Sequence, residues 1–275
     1  MHRYMYQSLI LIMLGYIFTY ILQNMIRKLL IETGQVVFNF QGIKIPTSMG
    51  IAIILSTVLV FSFIMPFGFN TSLEILYIVY AGCLMGFVGI IDDFFGDSLS
   101  KGFKGHIINL IKGKLTTGGL KAIMGIVASY IISLQVSTIF YELVVNVLLI
   151  SLTTNFINLL DTRPGRAIKG FSIFTFLLFL MNGNMTNIQY IVLGALVAYL
   201  PLDLKAKGML GDTGSNFIGI VLGASMVITI ENFVFRVSLL IIVLLLNFIS
   251  EKYSFSKMIE TNKILSFIDH LGRDS

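Results

Sequence analysis

GFSIFTFLLFLMNGNMTNIQYIVLGALVAYLPL, residues 170–202, runs for 33 positions without an Asp, Glu, Lys or Arg. A membrane-crossing helix needs about 20 apolar residues, so this run is too long for one helix. It is also too greasy for a soluble loop. The polar segment NGNMTN (Asn182–Asn187) near its middle supplies turn chemistry. The stretch therefore predicts two short helices joined by a hairpin, inside a polytopic, all-α membrane bundle.

The rest of the chain agrees. Of its 275 residues 56% are hydrophobic and only 12% charged, with mean hydropathy +0.90. Soluble domains carry about 25% charged residues. Other uncharged windows cover 4–26, 75–91, 122–141, 143–160 and 213–230, with one more at about 49–65, and a further apolar stretch at about 233–250 carries only Arg236. Pro66, Gly68 and Asn70 turn the chain after the second, and Glu142 divides the fourth from the fifth. With the hairpin, about nine spans are predicted in one domain, 1–250, followed by a tail, 251–275. The first window lacks a small-residue cleavage site and reads as a retained span, not a signal peptide. Arg236 is expected to snorkel from the outer end of the last span. Cys83 is the only cysteine, so no internal disulfide can form.

The basic residues orient this arrangement. Seventeen of the 19 fall on the odd-numbered connections and the tail, with only Arg3 and Arg236 opposite. The positive-inside rule then puts the N-terminus outside and the tail in the cytosol. The net charge of +5 is thus a topology signal and not a nucleic-acid signal.

Three acidic clusters fall on the predicted cytosolic side. GFVGIIDDFFGD (Gly86–Asp97) ends the third span on Asp92 and Asp93. One Asp at mid-bilayer costs about 2.5–3.5 kcal/mol, so this pair belongs at the helix mouth. NFINLLDTRPGRAIKG (Asn155–Gly170) spaces Asn155, Asn158 and Asp161 three apart, on one helix face. Pro164 and Gly165 stop that helix among Arg163, Arg166 and Lys169. MLGDTGSNFIG (Met209–Gly219) opens the eighth span with Asp212 between two glycines. Asp212 could be a plain N-cap, and Asp92 and Asp93 could simply end a span. Together, however, oxygen ligands bordered by Lys and Arg suit Mg²⁺ and phosphate.

These motifs resemble the polytopic polyprenyl-phosphate N-acetylhexosamine-1-phosphate transferases (glycosyltransferase family 4). That family includes the phospho-N-acetylmuramoyl-pentapeptide translocase and the undecaprenyl-phosphate GlcNAc-1-phosphate transferase. IPTSMG (Ile45–Gly50) is similar to the family's TPTMGG, GIIDDFFGD to its Asp-Asp motif, NFINLLDTRPGRA to NxxNLxDGxDGLA, and MLGDTGS to MGDxGS. The resemblance spans about Ile45 to Ser250. It implies an enzyme of the cytoplasmic membrane that moves a sugar-1-phosphate from a UDP-type nucleotide sugar to polyprenyl phosphate, with Mg²⁺, in cell-envelope glycan synthesis such as that of peptidoglycan. It implies Asp92, Asp93 and Asp212 as catalytic groups and Asp212 with Asp161 at the metal. Thr47, Lys121, Asn155, Asn158, Asp161, Arg163 and Arg166 would line the substrates.

There are departures. Thr162 and Pro164 replace the first Gly and second Asp of DGxDG, which leaves Arg163 and Arg166 to grip the donor diphosphate. The family's HxHH loop is missing. His270 stands in the tail, and His2 and His106 have no metal-ligand partner. The sugar, the nucleotide and the oligomeric state, a homodimer included, stay open. So do two other readings: a degenerate homologue that binds lipid phosphate or nucleotide and regulates a partner, and an ion-coupled transporter.

Overall fold

The computed structural model describes residues 2–67, 69, 72–96, 105, 109, 112–253 and 255–273. Asn70, Lys101, Lys104 and His106 lie outside these, as does the side chain of His2. Among the described residues, nine helices form the body of the protein. They are α1 (His2–Glu32), α2 (Gly50–Ile64), α3 (Leu73–Phe95), α4 (Thr117–Val136), α5 (Phe140–Leu160), α6 (Arg166–Asn182), α7 (Asn187–Leu204), α8 (Gly211–Thr229) and α9 (Phe233–Lys252). Two short ones follow, α10 (Phe255–Thr261) and α11 (Lys263–His270).

Each predicted span therefore has a helix, and seven of the nine are long and apolar enough to cross a bilayer. The exceptions are α6 and α8. Helix α6 has 17 residues, about 26 Å at 1.5 Å per residue. Helix α8 is rich in Gly, Ser and Thr and is buried from Thr213 to Val227. Its neighbours supply the apolar surroundings that lipid supplies elsewhere.

The NGNMTN turn forms as expected. Gly183 closes α6 at φ +69°, its N–H donating to the Phe179 carbonyl at 2.8 Å. Thr186 and Gln189 then make a reciprocal capping box at the start of α7. The α4–α5 turn falls earlier than expected, at 137–139. Glu142 does not divide the helices but sits in the first turn of α5, where its carboxylate accepts the N–H and hydroxyl of Thr138, both at 3.2 Å. A negative group at a helix N-terminus is favourable, so the charge starts the helix. At the other end of the pair, α4 begins at Thr117 and not at 122, because Thr116 caps it by accepting the Gly119 N–H at 3.1 Å. Lys121 thereby joins the helix.

Arg236 does not snorkel. It is buried, donates to Asn146 Oδ1 at 3.0 Å and lies 3.7 Å from Glu142. The polar head pins α9 to α5 because both partners wait on the facing helix.

Helix α8 is the axis of the bundle, and glycines let three helices touch it. A Cβ on Gly50 would sit 2.2 Å from the Gly214 backbone, one on Gly89 2.5 Å from that of Asp212, and one on Gly219 2.7 Å from that of Thr154. Close backbone approach through small residues is the usual driver of helix association in membranes.

A β-hairpin that the sequence did not announce joins α1 to α2. Strands β1 (Val36–Phe38) and β2 (Lys44–Pro46) pair antiparallel, Val36 opposite Pro46. The backbone beyond β2 then ties to the α7–α8 loop. Met209 N–H donates to the Pro46 carbonyl at 2.8 Å, and Met49 N–H to the Met209 carbonyl at 2.9 Å. These bonds clamp the start of α2 to the start of α8.

Candidate active site

The three acidic motifs and Lys121 meet at one end of the bundle. Lys121 Nζ donates to Asp92 Oδ2 at 3.0 Å, Asp212 Oδ2 at 2.5 Å and Asn158 Oδ1 at 3.5 Å. The Asn158 amide donates in turn to Asp212 Oδ1 at 2.7 Å and to the Ser215 hydroxyl at 2.8 Å. Four helices, α3, α4, α5 and α8, each contribute to this network. The side chains of Lys121, Asp92 and Asp212 keep 20%, 17% and 27% of their surface, so water-borne groups can reach them.

Asp93 plays a different part from Asp92. Its Oδ1 accepts the Asp212 N–H at 2.8 Å. Its Oδ2 accepts the Thr213 N–H at 3.1 Å, the Thr213 hydroxyl at 2.7 Å and the Ser48 hydroxyl at 2.6 Å. Asp93 is thus an N-cap for α8 supplied by another helix, at the positive end of the helix dipole. Adjacent residues on a helix point about 100° apart, which is why one of the pair enters the network and the other caps α8. Gly211 makes room: at φ +74°, a Cβ there would lie 2.5 Å from Asp93 Oδ2.

Thr47 is buried, its N–H donating to the Gln35 carbonyl at 3.2 Å; its neighbour Ser48, at φ +57°, reaches Asp93 instead. Asn155 leaves the face shared with Asn158 and donates to Asn247 of α9 at 2.6 Å. Asp161 caps the C-terminus of α5 and lines a cleft with Asn39, Phe40, Arg163, Pro164 and Asp203. Burial, then the charges of Asp203, Asp212 and Asp93, push its carboxyl well above the ordinary carboxylate range, against the pull of the Gly211 N–H. Arg163 lies over the Phe40 ring, 4.9 Å from its centre.

Arg166, like Asn155, is a predicted substrate residue that the structure draws away. It is buried and makes four hydrogen bonds, two to Asp269 and one each to Thr162 and Ser256. Its planar fork is spent on Asp269, so the expected grip on a donor diphosphate is not available to it in this arrangement.

Four residues outside the predicted site set hold the site together. Ser48, Thr213 and Ser215 are small hydroxyls beside recognised motif positions. Asp203, buried, accepts the Gly165 N–H at 2.7 Å and so fixes the left-handed turn that follows Asp161. The hydroxyls of GDTGS were legible as hydrogen-bonding groups; Ser48 and Asp203 act through distant loops that no local pattern connects.

Among the described residues, no group of three or more His, Cys, Asp or Glu side chains is set to hold a metal ion. What does converge is a pair of carboxylates on one ammonium. The surrounding donors, Asp92, Asp212 and Asn158, are all oxygen at the point where Lys121 sits. This donor set fits a hard divalent cation that substrate and water would complete.

Residues 75–230, more than half of the chain, match the family described as glycosyl transferase family 4, and the protein belongs to that family. It is accordingly a transferase of a membrane-embedded class. No curated protein matches the chain.

Proposed function

We propose that the protein is a phosphoglycosyl transferase that moves a sugar-1-phosphate from a nucleotide-diphospho-sugar, of the UDP-N-acetylhexosamine kind, to polyprenyl phosphate at the cytosolic face of the cytoplasmic membrane. The observation that carries this reading is the Asp92–Lys121–Asp212 network, with Asn158, at the water-accessible ends of membrane helices. A site at that level lets a lipid phosphate meet a water-soluble donor. An oxygen of the lipid phosphate attacks the donor's β-phosphorus, the bond from that phosphorus to the bridging oxygen breaks, and nucleoside monophosphate leaves.

Asp212 and Asp92, with the Asn158 amide oxygen, would hold Mg²⁺, whose chemistry is to neutralise phosphate charge during the displacement; Asp161 lines the neighbouring cleft instead. Lys121 holds phosphate oxygens once released from one carboxylate, and Asp92 orients or deprotonates the lipid phosphate. Asp93 keeps α8, and with it Asp212, in register. Arg163 faces the donor from the cleft above Asp161.

A second reading, a homologue that binds lipid phosphate or nucleotide without turnover, draws support from Pro164, which has no carboxylate to offer where the family has one. One assay separates the two. Purified protein in detergent receives polyprenyl phosphate, Mg²⁺ and a panel of NDP-sugars, and released nucleoside monophosphate is measured. Release with at least one donor, abolished in a folded Asp212→Asn variant, is expected. Asn keeps the shape of Asp212 and loses its charge, so full activity in that variant would remove Asp212 from the proposed metal and phosphate chemistry.

A further inference from the structure

We infer that Lys121 is a tethered competitor of the divalent cation. Its ammonium and the metal take the same three oxygens, so Lys121 is freed for phosphate only when a metal ion displaces it. The inference rests on the transferase reading and deepens it by saying what releases the lysine.

The three acceptors around Lys121 Nζ are Asp92 Oδ2, Asp212 Oδ2 and Asn158 Oδ1. They match the three protons of an ammonium. Each acceptor also has a neutral partner of its own. Thr117 bonds Asp92. The Asn158 amide donates to Asp212 Oδ1 at 2.7 Å, which leaves Oδ2 as the oxygen turned toward the cation. The orientation of Asn158 is fixed in turn. The Ser215 hydroxyl donates to the Gly211 carbonyl at 3.0 Å, so toward Asn158 it accepts, at 2.8 Å. Only Nδ2 of the amide can donate there, and the amide oxygen must then face Lys121. These partners keep the oxygens in place when the ammonium leaves.

Lys121 cannot share this cradle with a divalent ion. Both would need Oδ2 of Asp92 and Oδ2 of Asp212. Mg²⁺ draws its oxygens to about 2.0–2.1 Å, closer than an ammonium does, and like charges in contact repel strongly where water is partly excluded. Nor can the cradle go without a cation at little cost. Two carboxylates that share one ammonium would then face each other with no countercharge. Exchange of the ammonium for a divalent ion, with Lys121 still close by, turns the net charge of the group from negative to positive. That sign draws a phosphate, which two uncompensated carboxylates repel.

Lys121 has the means to move. It stands near the start of α4, where Gly118 and Gly119 precede it in the first turn, and its side chain is part-exposed. The flexible four-carbon stem lets the ammonium swing from a fixed Cα, and as a point charge it suits a phosphate oxygen. The hold of Lys121 on the two carboxylates and the affinity of the site for metal are therefore linked, and whatever strengthens one weakens the other.

The test is direct binding of Mn²⁺, a spectroscopic stand-in for Mg²⁺, to the full chain in detergent without substrates. Free Mn²⁺ is counted by electron paramagnetic resonance. Lys121→Met keeps most of the stem and removes the ammonium, and it should bind Mn²⁺ at least tenfold more tightly than wild type. Equal or weaker binding would overturn the proposal. Loss of any nearby positive charge favours a metal to some degree, so a second measurement locates the ion and needs no variant to fold. Anomalous scattering from Mn²⁺-loaded wild type should place the ion against Asp92 and Asp212, with Lys121 Nζ beyond hydrogen-bond distance of both. An ion there with the ammonium still bonded to both carboxylates, or an ion bound elsewhere, would overturn it as well. Mn²⁺ held by neither protein would remove the metal assignment and this proposal with it. Wild type that binds Mn²⁺ with Lys121→Met no tighter removes the competition alone. Nucleotide release in the assay above, read separately, decides the transferase reading.

Discussion

At the scale of single residues, the neighbours Asp92 and Asp93 divide the labour of the Asp-Asp motif. Asp93 takes four donors, two of them backbone N–H groups at the start of α8. Asp92 takes a bond from Thr117 and shares the Lys121 ammonium with Asp212. Asp93→Ala should therefore destabilise the folded protein by about 2 kcal/mol or more, since bonds to a charged acceptor are the stronger kind. Asp92→Ala should cost about 1 kcal/mol or less and act on turnover instead. Unfolding curves of the two variants in detergent decide this, and equal losses of stability would refute the division. Asp161 offers a pH signature. Its raised carboxyl binds a proton more tightly in the folded than in the unfolded chain. The stability it contributes is thus full below the ordinary carboxylate pKa of about 3.9 and falls as pH climbs above it. Asp161→Asn escapes that fall. The variant should melt above wild type near pH 7, with the gap closing toward pH 4. A gap that widens in acid would mean that Asp161 is stabilised as an anion.

At the scale of elements, glycine decides how near α8 its partners come. Gly50 and Gly214 leave no space for a methyl group, with 2.2 Å from a Gly50 Cβ to backbone atoms. Gly50→Ala should cost more than about 4 kcal/mol or abolish the folded protein, because backbone on both sides must move. Gly183 provides the control. A Cβ there meets nothing within 4 Å, and only its φ of +69° resists a side chain. Gly183→Ala should cost about 1–2 kcal/mol. Melting temperatures and monodisperse yield of the two variants measure the contrast, and similar behaviour would argue against the α2–α8 contact. The hairpin and tail are elements of another kind. Their short strands and seven- or eight-residue helices are too brief to form alone, so tertiary contacts create them.

At the scale of the whole molecule, the charge asymmetry along the chain and the motif-bearing end of the bundle belong together. Lys121, Arg163, Arg166 and Lys169 all sit at the end that carries Asp92, Asp161 and Asp212. If that end faces the cytosol, reporters fused after Lys112, Lys205 and Ser275 read as internal, and reporters after Asn70, Asn184 and Glu231 as external. A cytosolic reading after Asn184 would remove the α6–α7 hairpin from the far side and break the common face of the motifs.

The sequence by itself determined the class of fold. Uncharged windows, NGNMTN and the segregated cations are local signals, because a helix in lipid must satisfy its own backbone and exclude charge over its length. It also marked Asp92, Asp161, Asp212, Lys121 and Asn158, which carry their chemistry in their side chains. Only the tertiary structure decided what each of them faces. A one-residue step along α3 separates the carboxylate at Lys121 from the one that caps α8. Asn155 and Arg166, read as substrate ligands, turned to Asn247 and Asp269, residues 92 and 103 positions away. No spacing rule reaches that far: such partners are chosen by the packing of whole helices, which brings together ends that the chain keeps apart.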